Sequence, residues 1–181
     1  YKNCSFFPNV HSIISFEIFF KSIEKFGFCS EIDYSYTLDN LDNYPTDKDY
    51  KVAEAFKFIK VYRVENKLDI IKKLLQNDIP LLIGLILYYD LDKIVDKMWL
   101  PDINKDTRLG GITGIIVGYI EDRESFIVKF CFGKTFGNSG YITIPYKYIL
   151  NPELTPEIYH VDLVKNRVEG FLNQRRKTIS L

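Results

Sequence analysis

Between residues 15 and 26 the apolar side chains fall on one face of a helix. Phe16, Phe19, Phe20, Ile23 and Phe26 stand at i, i+3, i+4, i+7 and i+10, the repeat of an amphipathic α-helix. Ser15 can cap its start, and Gly27 can supply the left-handed residue at its end. Residues 1–14, interrupted by Pro8, show no clear period, and residues 37–49, with Pro45, are polar and predict a surface loop. A short helix at about 48–56 leads to a strand at about 58–64. Asn66 with Asp69 three residues on resembles a capping box for a helix at about 67–76, whose inner edge is Leu68, Ile71 and Leu75. Asp78-Ile79-Pro80 opens an apolar strand that runs towards Tyr89.

From there the period changes from helical to extended. A polar loop spans 90–109 around Trp99 and Pro101, and strands follow at about 112–121 and 124–131, joined by a hairpin at Glu121-Asp122-Arg123-Glu124. A glycine-rich loop at 133–140 leads to a strand at about 141–145, and a last strand at about 158–164 precedes a polar tail, 165–181. Helices early and antiparallel strands late predict an α+β domain. The 181 residues suffice for one domain with a sizeable core. Repeats and low-complexity segments are absent from the pattern.

Composition narrows the function classes. The formal net charge is zero, so no global field draws the chain to nucleic acid or anionic membrane. No apolar run reaches the length of a membrane span. No basic-then-apolar leader opens the sequence, which favours an intracellular location. Three cysteines (Cys4, Cys29 and Cys131) are an odd, widely spaced set. They argue against a disulfide framework and for a reducing compartment. They also lack zinc-ligand spacing with the two histidines, His11 and His160, and no cofactor is expected. The excess of Phe, Tyr, Lys, Ile and Asn suits an AT-rich genome, that of a parasite or a giant virus among others. The first residue is Tyr rather than Met, in keeping with a processed chain or a fragment.

The most specific signal is Gly110-Gly111-Ile112-Thr113-Gly114-Ile115-Ile116-Val117-Gly118-Tyr119, continued in register by Phe126-Ile127-Val128-Lys129-Phe130-Cys131-Phe132-Gly133-Lys134-Thr135-Phe136-Gly137-Asn138-Ser139-Gly140-Tyr141. The first segment resembles the papain-like cysteine peptidase motif Gly-Gly-His-Ala, a few apolar residues, then Gly-Tyr. The second resembles that family's Ile-Val-Lys-Asn-Ser-Trp-Gly block with its later Trp-Gly and Gly-Tyr. Lys25-Phe26-Gly27-Phe28-Cys29-Ser30-Glu31 is similar to a turn of the family, and 74–84 to the helix-to-strand step before its barrel. The resemblance covers roughly 15–163. It implies a papain-like fold, mainly the antiparallel β-barrel half with part of the helical half. Residues 1–14 would follow a missing nucleophile helix, 15–164 would form the papain-like domain and 165–181 a polar tail.

The same resemblance implies that the chemistry is gone. The family's catalytic histidine falls on Ile112 and its orienting asparagine on Phe130. Isoleucine accepts no proton, and phenylalanine cannot hydrogen-bond an imidazole. Cys4 is a poor nucleophile candidate, since Pro8 would disrupt the helix whose N-terminus activates the thiol. Cys29 and Cys131 are expected as buried residues, and His11 as a surface residue. The expected function is a catalytically inactive peptidase homologue with a peptide- or protein-binding or structural role. Gly110, Gly111, Thr113, Phe132 and Phe136 would line its cleft, and neither metal nor nucleic acid would be a partner. One alternative is an active, divergent cysteine peptidase pairing Cys4 or Cys131 with His11 or His160. Another is an assembly protein whose cleft is filled by Ile112, Phe130 and neighbouring aromatics.

Overall fold

A computed structural model describes residues 15–35, 37, 43–54, 56–57, 59–88 and 100–163. The chain divides into two compact units, Tyr1–Val61 with Asp162–Leu181, and Tyr62–Val161. Cys4, His11, Trp99 and the basic tail lie outside the described residues.

In the first unit, α1 spans Phe16–Phe26 and α2 spans Asp47–Glu54. The Ile18 amide donates to Ser15 Oγ at 3.4 Å, the expected cap. Of the apolar stripe only Phe20 is buried; Phe19 is 39% exposed. Gly27 departs from expectation: φ 78° and ψ −163° place it outside the left-handed helical basin, in a region essentially reserved for glycine. A Cβ there would stand 1.8 Å from the Ala53 carbonyl oxygen, so the glycine is what lets the end of α1 meet the end of α2. The start of α2 carries a side-chain cap missed in the sequence. The Thr46 amide and hydroxyl both donate to Asp49 Oδ2 at 2.7 Å, which holds the Asp49 carboxyl below its usual range.

The second unit is built on a sheet. Its strands are β1 (Ile59–Arg63), β2 (Leu81–Leu87), β3 (Gly110–Ile120), β4 (Ser125–Lys129), β5 (Tyr141–Pro145) and β6 (Glu157–Leu163). Their order is β1-β6-β2-β3-β4-β5, and the division between units cuts β1 and the end of β6. β2 pairs antiparallel with both β3 and β6, and β4 with both β3 and β5. The unit also holds α3 (Leu68–Gln76) and the short α4 (Tyr146–Ile149), which the sequence did not reveal. Alternation sets the register: Leu81, Ile83 and Leu85 are buried while Leu82, Gly84 and Ile86 are partly exposed. With Ile71, Ile116, Phe126, Val128, Ile144 and Ile149 they form one apolar core.

The turn after β3 is the expected hairpin, tightened into a 3-10 turn at Glu121–Arg123 with Glu124 at φ 44°. The capping box at Asn66 is absent. Lys67 precedes the first turn of α3 and makes no side-chain cap. Asn66 instead donates from Nδ2 to the carbonyls of Ile149 and Thr155, both at 2.8 Å. Those carbonyls belong to α4 and the loop after it, partners about eighty residues away that a local pattern cannot announce.

Candidate functional site

β3 and β4 bring the two motif segments side by side. The ladder pairs Ile116 with Val128 and Ile115 with Lys129. One step further Gly114 faces Phe130, whose ring covers it: a Cβ on Gly114 would lie 2.9 Å from Phe130 Cε1 and 2.7 Å from Val128 Cγ1. Phe130 is 4% exposed. Two residues before Gly114, on the same face of β3, the half-buried Ile112 packs against the core. The side chains at 112 and 130 therefore sit on one face of neighbouring strands and meet the same apolar core.

Three phenylalanines extend from this point to the surface. Phe130 and Phe132 stack at 6.1 Å and 19°. Phe136 stands edge-on to both, 6.3 Å from Phe130 and 4.9 Å from Phe132. Phe132, the outermost, is 48% exposed. The loop carrying Phe136 closes on itself, the Gly140 amide donating to the Phe136 carbonyl at 2.7 Å and the Phe130 amide to the Gly140 carbonyl at 3.1 Å. Gly137 adopts φ 53° with its missing Cβ 2.4 Å from the Tyr141 carbonyl oxygen, which excludes any larger residue. On the opposite face of β3, Gly111 and Thr113 are exposed. A Cβ on Gly110 or Gly133 would meet nothing within 4 Å.

The cysteines differ from expectation in burial. Cys131 is exposed rather than buried: with Phe130 turned inward, its chain neighbour turns out. Cys29 is half-buried, and its thiol donates to the Asp49 carbonyl at 3.3 Å. Burial, then Asp49 and Asp33, push its pKa up, the reverse of what a thiolate nucleophile requires. His160, on β6, rests 5.7 Å from the Tyr62 ring. β2 and β3 lie between β6 and β4, so three strand spacings, about 14 Å, separate His160 from the strand that Cys131 follows. Among the described residues no group of three His, Cys, Asp or Glu could hold a metal, and no helix is long and apolar enough to cross a membrane.

One cluster escaped the sequence. Lys72 on α3 pairs with Glu121 at 2.6 Å and lies over the rings of Tyr119 and Tyr146, at 5.1 and 5.0 Å. Gln76 donates to the Tyr119 hydroxyl at 3.0 Å. It ties α3 to the far end of β3, away from Gly110. Only the helical spacing of Lys72 and Gln76 signals it, and that spacing is common on any exposed face.

Comparison with solved structures decides the family of the fold. Xylellain, a cysteine protease from Xylella fastidiosa, superposes with a TM-score of 0.72 and 25% identity over 83% of this chain and 62% of that one. The fold is that of a papain-like cysteine peptidase. An uncharacterized peptidase C1-like protein of Acanthamoeba polyphaga mimivirus is 25% identical over 159 residues, 82% of this chain and 51% of the relative. The chain is thus a papain-like peptidase homologue spanning about half the length of the curated relative it matches. No family model matches it. The papain-like resemblance seen in the motifs at 110–141 agrees with both likenesses.

Proposed function

We propose that this chain is a non-catalytic papain-like domain that binds a peptide or protein partner. In this reading Ile112 and Phe130 occupy the positions of the family's histidine and asparagine. The observation that carries it is the ring of Phe130 lying on Gly114 beside Ile112, a contact made of carbon atoms alone. A general base needs a lone pair within hydrogen-bond reach of the thiol it activates, and neither side chain has one. Of the cleft residues expected from the resemblance, Phe132 and Phe136 would serve as the binding surface, since a half-exposed ring suits contact with an extended chain, while Gly111 and Thr113 face the other side of β3.

The test is direct. The purified chain is incubated under reducing conditions with a broad papain-type fluorogenic substrate and with a thiol-directed epoxide probe. Neither turnover nor specific labelling is expected. Thiol-dependent cleavage abolished by one Cys→Ala substitution would reject the reading and identify the nucleophile.

A further inference from the structure

We propose that the chain pairs with a second copy of itself through the outer face of the β3–β4 hairpin. The inference is separate from the site at Phe130 and holds whether or not the chain cleaves peptides. Ile112, Gly114 and Ile116 turn towards the core. Thr113, Ile115 and Val117 turn away from it and are exposed, Ile115 by 39% and Val117 by 43%. The apolar stripe continues onto both neighbouring strands. Leu82 on β2 stands opposite Ile115. On β4, Ile127 stands opposite Gly118, just past the register shift at Val117, and its Cδ1 would lie 3.5 Å from a Cβ placed on Gly118. The helices of this unit lie on the other face, where Ile71 of α3 and Tyr146, Tyr148 and Ile149 of α4 are part of the core. A contiguous exposed apolar stripe marks an interaction surface.

Charge selects the partner. The charged residues of the hairpin all sit at its two ends. The turn holds Glu121, Asp122, Arg123 and Glu124, all exposed, and Glu121 pairs with Lys72. Three carboxylates against Arg123 and Lys72 leave that end negative. The other end holds Lys129, exposed, with its Nζ 5.5 Å from the centre of the Tyr141 ring. Among the described residues, Asp122, Glu124 and Lys129 have no ion-pair partner. No other outward position of β2, β3, β4 or β5 is charged, and the loop at 100–109 carries two acids and two bases. Lys129 stands about 14 Å along β4 from Ser125 at the turn, with Ile127 half-way. A two-fold axis through Ile127, perpendicular to the strands and between two such faces, sets each copy's Lys129 over the other's turn. It also lays the apolar stretch of each on that of the other. A stripe with opposite charges at its ends is complementary to itself turned end for end, whereas a partner of one sign would match only one end.

The experiment uses the full purified chain and sedimentation velocity over a dilution series that reaches about 100 μM. A reversible monomer–dimer equilibrium is expected, and Val117→Asp should abolish it. Lys129→Glu and Glu124→Lys should each weaken the dimer by about tenfold, since a reversal acts at both symmetric contacts. Mixed in equal amounts, the two variants should recover a dimer as strong as the parent's, because every residue 129 then faces a residue 124 of opposite sign. Val117 is exposed, so Val117→Asp is expected to keep its fold, checked by circular dichroism. The two charge variants alter only exposed side chains and carry the test if it does not. A chain that stays monomeric throughout, a dimer indifferent to Val117→Asp, or a mixture no stronger than either variant alone would overturn the proposal.

Discussion

Gly114 and Phe130 are coupled by contact, and the coupling can be measured. Adding one methyl at 114 forces it to within 2.7 Å of Val128 Cγ1 and 2.9 Å of the Phe130 ring. Gly114→Ala should therefore destabilise the chain by about 1–3 kcal/mol in urea unfolding. The same substitution made with Phe130→Ala should cost less than the two single changes summed, because the ring that clashes is gone. Strict additivity in that cycle would show that the ring does not rest on Gly114. Phe130→Ala alone should cost about 3–5 kcal/mol, the range for a buried aromatic. Of these facts the sequence showed the residue types at 112, 114 and 130. The contact between 114 and 130 needed the register of β3 on β4.

A second residue-scale test concerns Tyr148, 1% exposed, whose hydroxyl donates to the Ile86 carbonyl at 2.6 Å. Burial pushes its pKa up to about 12. The unfolded chain ionises this phenol near the ordinary value of about 10, and the folded chain does so later. Its contribution to stability is thus complete below pH 10 and is lost as pH rises from about 10 to about 12. Tyr148→Phe should flatten the fall in unfolding midpoint over that window. An identical fall in both proteins would refute the assignment. Thiol reactivity gives a third test. Exposed Cys131 should react with a disulfide reagent at pH 7.5 faster than Cys29, whose thiol is hydrogen-bonded and raised in pKa. Mass-mapped labelling led by Cys29 would contradict the geometry.

Periodicity located the elements, and their ends were decided by contacts across the chain. The helix at Phe16–Phe26 and the strands β2 to β6 fall where the apolar pattern put them, within a few residues. Local capping logic held at Ser15, which accepts from the Ile18 amide, and failed at Asn66. Asn66 had the spacing of a capping residue, yet its amide bridges two carbonyls of the α4 region. Asn66→Ala should leave those carbonyls without this donor and cost about 2–3 kcal/mol, with little effect on isolated helix content by circular dichroism. A loss of a few tenths of a kcal/mol would mean that water replaces the amide. α4, four residues long, has no period to detect; it exists because Tyr146, Tyr148 and Ile149 are buried. Cys131 illustrates the same limit at the end of a strand. Which of two neighbours turns inward depends on register, and register is a property of the pair.

At the scale of the molecule, the peptide-binding proposal has a thermodynamic consequence. A partner that binds only the folded chain stabilises it by mass action, by about 2.7 kcal/mol at a hundredfold excess over Kd. A peptide that binds the proposed surface should therefore raise the thermal midpoint in a concentration-dependent way, and the same peptide should leave the Phe132→Ala midpoint unmoved. Equal shifts in both would place the peptide elsewhere. The papain-like fold itself was legible in the sequence through two motifs held at fixed spacing, 110–119 and 126–141. The glycines that carry them answer to backbone geometry, such as the φ 53° of Gly137 against the Tyr141 carbonyl, and so persist whatever stands at 112 and 130. Hydrophobic period and glycine position are local, and the sequence alone determined them, together with the apolar residue types at Ile112 and Phe130. The stacking of Phe130 on Phe132, the outward turn of Cys131, the strands that separate His160 from Cys131 and the open backbone beside Phe132 were decided by the tertiary structure. Each depends on which strands pair and in what register, and that is settled by burial summed over the whole core.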